Sequence, residues 1–244
     1  MPARWTQNLL LKKMKNKAPT SKIDLAPTLT GHWYKVGKGY YPSVTQILTS
    51  FPQSPFLTKW VADHGWEESQ AIKTEAGEKG TQVHNAVERL LKGAELDQQN
   101  YSLPEWWKLN TFWSWYKEYK PEVVQTELMV FSRKYKYAGT IDCVYKTKDG
   151  LTLIDFKTSG SIYDHFPLQV AGYAQAYEEM FDQHIYQTAI LQLGAKNKNG
   201  YRFVIQDNWK ENVKPFLAVK KIFDYQYGKG YVPQIMNLPN MIKL

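Results

Sequence analysis

Residues 151–159 read "LTLIDFKTS", a run of apolar residues that ends in a carboxylate and an amine. Alternate side chains of a strand share a face, so the two leucines, Asp155 and Lys157 are expected on one side. The leucines then belong to a core, and the charged pair emerges where the strand leaves it. A carboxylate there is costly unless a cation meets it. Two interpretations fit: an intrastrand salt bridge, or a carboxylate that binds a divalent metal beside a lysine that stabilises charge at phosphorus.

A second acidic residue favours the metal interpretation. Asp142 lies in the preceding predicted strand, and a hairpin through the turn at Asp149–Gly150 brings it near Asp155. Two adjacent carboxylates repel each other, and one would be forced neutral. Mg²⁺ between them would keep both ionised, because it accepts hard oxygen ligands. Gly139, three residues before Asp142, leaves room for another part of the chain to approach closely.

The order of predicted elements describes an α/β fold in which a central mixed sheet is flanked by helices, with an N-terminal helical layer. Residues 1–30 are expected to form a basic extension and residues 31–244 a single domain. Within that domain we expect a helical part over residues 43–120, with helices capped near Ser43 and Ser54. A catalytic sheet core over 121–206, with a crossover helix over 166–181, and a C-terminal helix over 209–228 complete the prediction.

Composition limits the classes of function. The 244-residue chain carries a net charge of +8, which favours an anionic partner such as nucleic acid. Its one cysteine, Cys143, excludes a disulfide framework and a cysteine-rich zinc or iron–sulfur site. The stretch "GHWYKVGKG" lacks the spacing and the Ser or Thr of a phosphate loop, so no use of ATP is expected.

The predicted location is intracellular and cytoplasmic, because no apolar run approaches the length of a membrane span. A mitochondrial transit peptide is the alternative reading of the N-terminus, which is basic and free of acids before Asp24. The same segment is also read as a solvated or nucleic-acid-binding arm. Its basic residues are Arg4, Lys12, Lys13, Lys15, Lys17 and Lys22.

Two further features have both structural and functional interpretations. The segment "LPEWWKLNTFWSWYKEYKP" predicts a helix from about Pro104 to Tyr119, with aromatic residues around most of its circumference. Core packing is expected for most of them, and a base-stacking platform is the alternative. Basic residues in the last quarter of the chain either contact phosphates or solubilise the surface. They are Lys196, Lys198, Lys220 and Lys221.

Four short motifs occur in a fixed order: "GTQVH" at 80–84 in a helix, "GTID" at 139–142, "IDFKTS" at 154–159 and "QVAGY" at 169–173. Together they resemble the RecB-like branch of the PD-(D/E)xK nucleases, over roughly residues 42–194. The chain looks most like the compact phage and mitochondrial exonucleases of that branch. It departs from the relatives that clamp an iron–sulfur cluster, because it lacks their cysteines.

The resemblance implies a phosphodiesterase that acts on DNA with one or two Mg²⁺ or Mn²⁺ ions. By position, His84, Asp142 and Asp155 are similar to the metal ligands, together with the backbone carbonyl of Phe156. Lys157 resembles the catalytic lysine. The remaining residues similar to family positions are the site-positioning pair Gln169 and Tyr173, with Glu88 and Glu127 as supporting acidic candidates.

The function expected from this resemblance is that of an exonuclease in DNA recombination, replication or repair, acting on single- or double-stranded ends. A phage-encoded protein that works in a host cell fits the same pattern. Two alternatives stay open: a DNA-binding protein on the same fold that has lost cleavage, and a restriction-type endonuclease. The sequence is compatible with a monomer or with a ring-forming homo-oligomer.

Overall fold

The computed structural model describes residues 21–28, 31–228 and 233–236. Most of the predicted basic extension, residues 1–20, lies outside the described residues. The strands are β1 Ile23–Leu25, β2 Trp33–Val36, β3 Gly39–Pro42, β4 Glu122–Ser132, β5 Tyr137–Lys146, β6 Leu151–Lys157, β7 Ile185–Leu193 and β8 Tyr201–Gln206. The helices are α1 Val44–Leu48, α2 Pro55–His64, α3 Trp66–Leu91, α4 Leu103–Tyr119, α5 Phe166–Phe181 and α6 Val213–Tyr227. Short 3₁₀ turns cover Gln98–Asn100 and Trp209–Asn212.

The central sheet has five strands in the order β4-β5-β6-β7-β8. Its first three strands are antiparallel, β6 and β7 run parallel, and β8 is antiparallel to β7. Helix α5 connects the two parallel strands, as a parallel pair requires. The predicted mixed α/β class is confirmed, and this architecture is consistent with a restriction-endonuclease-like core.

Two hydrophobic clusters cover the two faces of the sheet. Leu153 of β6 faces the cluster built by α1, α5 and α6, whereas its neighbours Ile154 and Phe156 face α3 and α4. This alternation is the one predicted from "LTLIDFKTS". Because both faces are covered, β6 is a central strand, and a charged side chain near its end can be reached only at the edge where the strand stops.

Strand β5 changes its pattern next to Asp142. Ile141 belongs to the α5-side cluster and Cys143 to the α3-side cluster, yet Val144 returns to the α5 side. In β4, opposite this point, Glu127 has a φ of 48°, a left-handed conformation that is rare for a residue other than glycine. The sheet is therefore irregular where Asp142 leaves it, and irregular backbone of this kind is often found near functional sites.

A small sheet in the order β1-β2-β3 packs on the β4–β5 hairpin. Tyr34 of β2 is buried there, and its hydroxyl lies 2.8 Å from Thr140 Oγ1. The hairpin that turns at Gly37–Gly39 and the cap at Ser43 follow the sequence prediction. Strand β1 was not predicted, because residues 23–25 were assigned to the basic extension.

Helix α5 lies close to the sheet because the sheet presents a glycine, Gly139, to the helix. An added Cβ on Gly139 of β5 would lie 2.4 Å from Tyr173 Cε1, so only glycine leaves room for the tyrosine ring. In a second contact between α5 and β5, the Gly172 carbonyl accepts a hydrogen bond from Tyr137 Oη at 2.8 Å. These contacts hold α5 against the segment of β5 that carries Asp142.

No helix in the described part of the chain combines the length and the apolar character needed to cross a membrane.

Substituting Gly139 by Ala is expected to destabilise the fold by about 1–3 kcal/mol, because the methyl group overlaps the Tyr173 ring. Urea unfolding followed by circular dichroism measures the change. Gly77→Ala in α3 is the matched control, since a Cβ there meets nothing within 4 Å. It should stabilise the protein by up to about 1 kcal/mol through helix propensity. A Gly139→Ala variant as stable as the wild type would contradict the close packing of α5.

Candidate active site

Two acidic side chains meet across the β5–β6 pair. The register pairs Cys143 with Ile154, which places Asp142 beside Asp155 one step further along the ladder. Asp142 Oδ2 accepts a hydrogen bond of 2.7 Å from the Phe156 backbone N–H. Asp155 is only 2% exposed. The proximity of the two acids, predicted from the hairpin, is thus found in the structure.

Lys157, at the end of β6, contacts the same group of side chains. Its Nζ lies 2.7 Å from Asp155 Oδ2 and donates to Gln169 Oε1 at 2.7 Å. Gln169 Nε2 in turn donates to Tyr173 Oη at 3.0 Å. The ammonium also lies 4.6 Å above the centre of the Phe166 ring. The intrastrand salt bridge is therefore real, and it is one contact in a chain that runs from β6 into α5.

His84 approaches the acids from the other face of the sheet. It lies in α3, where Val83 and Val87 anchor the helix in the core. Its Nδ1 lies 3.5 Å from Asp142 Oδ2, and its ring packs edge-on against Phe156. A Cβ on Gly80, one turn earlier, would lie 2.9 Å from Thr158 Oγ1, so this part of α3 crosses very near the end of β6.

The charges of this group shift one another. Burial disfavours the ionised form of Asp142, but His84, Lys157 and the Phe156 N–H outweigh it and lower the pKa of this carboxyl. Burial likewise works against a charged His84, yet Asp142 and Asp155 raise the pKa of the imidazole. A negative acid and a positive partner are thus the favoured state of the Asp142–His84 contact.

Two other carboxyls have raised pKa values. Burial, with the repulsion of Asp142, raises the pKa of Asp155 to about 6 in spite of Lys157. Burial and the charges of Asp142 and Glu88 raise the pKa of Glu127 to about 7. A cation bound beside these carboxyls would favour their ionised forms.

The two supporting candidates lie at the margin of the group. Glu88 forms an ion pair with Lys92 of its own helix, one turn further on. It is near enough to Glu127 to raise that residue's pKa. Within the described residues, neither acid makes a hydrogen bond or an ion pair to Asp142 or Asp155, so both remain candidates without a defined role.

The acidic residues of the site provide few ligands for the predicted metal. Among the described residues, no group of three or more His, Cys, Asp or Glu side chains is gathered closely enough to hold an ion. Mg²⁺, however, keeps several waters and needs only one or two carboxylates from a protein. Asp142 and Asp155 satisfy that requirement, because their carboxylates lie side by side on adjacent strands. The residues therefore fit a hard divalent cation that retains most of its water.

Gln192 is a part of this site that the sequence analysis missed. Gln192 pairs with Lys157 across the parallel β6–β7 ladder, and its side chain is buried. Gln192 Nε2 donates to the Ser159 carbonyl at 2.9 Å and so holds the loop that follows Lys157. Parallel pairing joins residues that are distant in sequence, so no local pattern indicated this contact.

Comparisons with known proteins give only weak structural likenesses. No family model matches the chain, and no curated protein matches its sequence. Its structure is similar to a candidate exonuclease from Eubacterium rectale, with a TM-score of 0.42 and 12% identity, over 66% of this chain and 72% of the other. For the protein SSO0001 the TM-score is 0.38 at 16% identity, over 89% and 86% of the two chains. For the alkaline exonuclease LHK-Exo from Laribacter hongkongensis it is 0.34 at 9% identity, over 76% and 91%. These values assign the chain to no family.

Replacing Glu127 by Gln is expected to leave stability unchanged at pH 4.5 and to raise it at pH 8, without divalent cations. The folded-state pKa of about 7 exceeds the ordinary value of 4.5, so folding disfavours the ionised form. The penalty is absent below pH 4.5 and complete above pH 7. Because Glu127 is partly exposed, solvent screening should limit the gain to about 1 kcal/mol or less.

Urea unfolding at the two pH values measures this difference. Glu122→Gln makes the same substitution at an exposed position of the same strand and serves as the control. An equal effect of Glu127→Gln at both pH values would show that neither burial nor the neighbouring acids raise the pKa of Glu127 in the folded protein.

Proposed function

We propose that this chain is a metal-dependent nuclease that hydrolyses phosphodiester bonds of DNA. One observation carries the proposal: Asp142 and Asp155 lie side by side on adjacent strands with Lys157 against them. An ion pair of Asp155 and Lys157 would need no second carboxylate. A second acid beside the first raises the electrostatic cost of folding. A binding site for a cation would explain why both acids are present. The order of the four sequence motifs supports the same class.

Asp142 and Asp155 would hold the ion. The resemblance adds the Phe156 backbone carbonyl and the His84 imidazole as further ligands, each of which would replace one water, and His84 would bind only in its neutral form. A bound Mg²⁺ or Mn²⁺ supplies neutralisation of the phosphate charge and lowers the pKa of water to a usable range. An imidazole ligand suits Mn²⁺ somewhat better than Mg²⁺. The single cysteine is buried in the core and is not part of this donor set.

Lys157 has the position to orient the attacking water and to offset negative charge that develops at phosphorus. Its ammonium is fixed by Asp155 on one side and by Gln169 on the other. Gln169 is buried and is itself tied to Tyr173, so the amine has little freedom to swing away. A group held in advance in the required geometry stabilises the transition state without reorganisation.

The type of cleavage follows from the sequence resemblance, which favours an exonuclease of recombination, replication or repair. Exonucleolytic action should release mononucleotides or short oligomers from linear DNA and leave closed circles intact. A restriction-type endonuclease should instead cut closed circular DNA into discrete fragments. Binding of DNA without products in any metal condition would favour the non-cleaving alternative.

Incubating labelled single- and double-stranded DNA with Mg²⁺, Mn²⁺ or EDTA tests the proposal. Products are expected with either ion and not with EDTA. Asp142→Asn and Asp155→Asn should each lower the rate by about 100- to 1,000-fold, because the ion and the phosphate lose their partner. Lys157→Ala should lower it by about 100-fold.

Asp149→Asn is the matched control. This acid lies in the turn of the same β5–β6 hairpin, at the opposite end of the strands, and is exposed. It should cleave like the wild type. Full activity of either Asp142→Asn or Asp155→Asn, in protein of normal stability, would refute the assigned site.

Measurements of metal affinity distinguish the proposed metal ligands from Lys157. Isothermal titration with Mn²⁺ should show affinity weakened by at least about tenfold in Asp155→Asn. Lys157→Ala should bind Mn²⁺ more tightly than the wild type, because it removes a positive charge 2.7 Å from the acid that would hold the ion. Weaker binding by both variants would show that Lys157 supports the ion instead of competing with it.

A further inference from the structure

A basic and aromatic surface lies at the same edge of the sheet as the candidate site. We define the Trp107 surface as Trp107 and Lys108 of α4 with Lys196 and Lys198 of the β7–β8 loop. Strands β6 and β7 are parallel, so Lys157 and Gln192, which pair, both lie at the carboxyl end of their strands. Lys196 follows Gln192 by four residues, so it lies within about 14 Å of it along the chain. Open α/β sheets bind ligands outside the carboxyl ends of parallel strands.

The β7–β8 loop is held tightly against Trp107. A Cβ on Gly194 would lie 3.0 Å from Trp107 Cζ3, and one on Gly200 would lie 3.9 Å from Trp107 Cζ2. Both glycines have left-handed φ values, 77° and 71°, so the loop takes a shape that other residues would strain. Gly200 N donates to the Asn197 carbonyl at 3.1 Å and closes the turn. The indole is therefore fixed in place by its neighbours.

One side of this fixed ring remains open. Trp107 is 48% exposed, although a tryptophan at the surface of a folded protein is usually covered further. Lys196 and Lys198 are exposed, and neither forms an ion pair with any residue that the structure describes. The nearby acid Glu105 is buried, and its carboxylate accepts hydrogen bonds from the N–H and the hydroxyl of Ser102. Free positive charge and a flat apolar ring thus lie together.

We propose that the Trp107 surface binds the single-stranded segment of a DNA substrate that leads into the Asp142–Asp155–Lys157 site. The inference rests on the proposed nuclease function for its choice of ligand. The lysines contact phosphates, and the indole stacks on one base. A base can lie flat on a side chain only when it has left the duplex stack, which selects a single strand over a double helix. An acidic protein would satisfy the lysines but has no planar group for the ring.

Binding of a fluorescent single-stranded oligonucleotide, measured by anisotropy with EDTA or with Ca²⁺ in place of Mg²⁺, tests the surface. Trp107→Ala should weaken binding by roughly 5- to 100-fold, the range for one lost base–aromatic stack. On an oligonucleotide of equal length made of abasic nucleotides, the same variant should bind like the wild type. Trp107→Leu and Trp107→Phe separate ring from bulk: Leu should weaken binding, and Phe should largely retain it.

The lysines are tested by salt dependence. Lys196→Ala/Lys198→Ala should weaken binding of both oligonucleotides and lower the slope of log affinity against log salt by about 1.4, the value for two single-strand phosphate contacts. Lys146→Ala/Lys148→Ala removes the same charge at the opposite end of the sheet and is the control. Trp113→Ala is the control for the ring, because Trp113 lies in the same helix, is also 48% exposed, and lines a pocket with Leu90 and Leu96 that does not include Trp107. Both controls should bind like the wild type.

Several results would contradict the proposed binding of single-stranded DNA to the Trp107 surface. The first is that the wild-type protein binds no single-stranded oligonucleotide in either buffer. The second is that Trp107→Ala loses the same affinity for normal and for abasic strands. The third is that the two pairs of lysine substitutions weaken binding equally. Displacement of the oligonucleotide by polyglutamate at the same charge concentration would also show that any polyanion suffices. Hydrolysis by the wild type in Mg²⁺ is scored separately, so that a failed surface with active enzyme is distinguishable from a failed nuclease with intact binding.

Discussion

Two acidic groups placed side by side at the end of a central strand require positive charge, and much of the architecture meets that requirement. Asp155 is almost fully buried, and Asp142 adjoins it across the β5–β6 ladder. The compensating groups come from two elements: β6 supplies Lys157 and the Phe156 backbone N–H, and α3 supplies His84. Leaving either acid without such partners in this environment would cost several kcal/mol. The positions of α3 and of the strand ends are therefore linked through these charges.

The change from antiparallel to parallel pairing at β6 explains why the site lies where it does. On one side, the antiparallel β5 supplies Asp142 from a hairpin. On the other, the parallel β7 needs a crossover, and the crossover helix α5 supplies Gln169 to hold Lys157. Glycines set the approach of both helices: Gly139 admits the Tyr173 ring of α5, and Gly80 lets α3 pass beside the end of β6. One strand thus receives polar side chains from both of its neighbours and from helices on both faces.

Local patterns in the sequence predicted much of this arrangement. The helix over 166–181, the caps at Ser43 and Ser54 and the turn before Gly150 all depend on nearest neighbours, and all are found. The proximity of Asp142 to Asp155 followed from counting residues on either side of that turn. Features that depend on distant pairing were not predicted. Strand β1 is stabilised by its partner β2, Gln192 by the parallel ladder, and the left-handed backbone of Glu127 by the sheet around it.

Helix α4 shows how one sequence pattern can serve two purposes. Its aromatic residues surround the helix, and core packing was expected for most of them. Phe112 and Trp115 are buried against the sheet, and the Phe112 ring contacts Phe156, next to the site. A single helix can bury only one face against one sheet, so the rings on its other sides need a different reason. At Trp107 that reason is found in the β7–β8 loop, whose glycines permit contact with the ring. Because that loop begins where β7 ends, the parallel pair that positions Lys157 also places the Trp107 surface beside it.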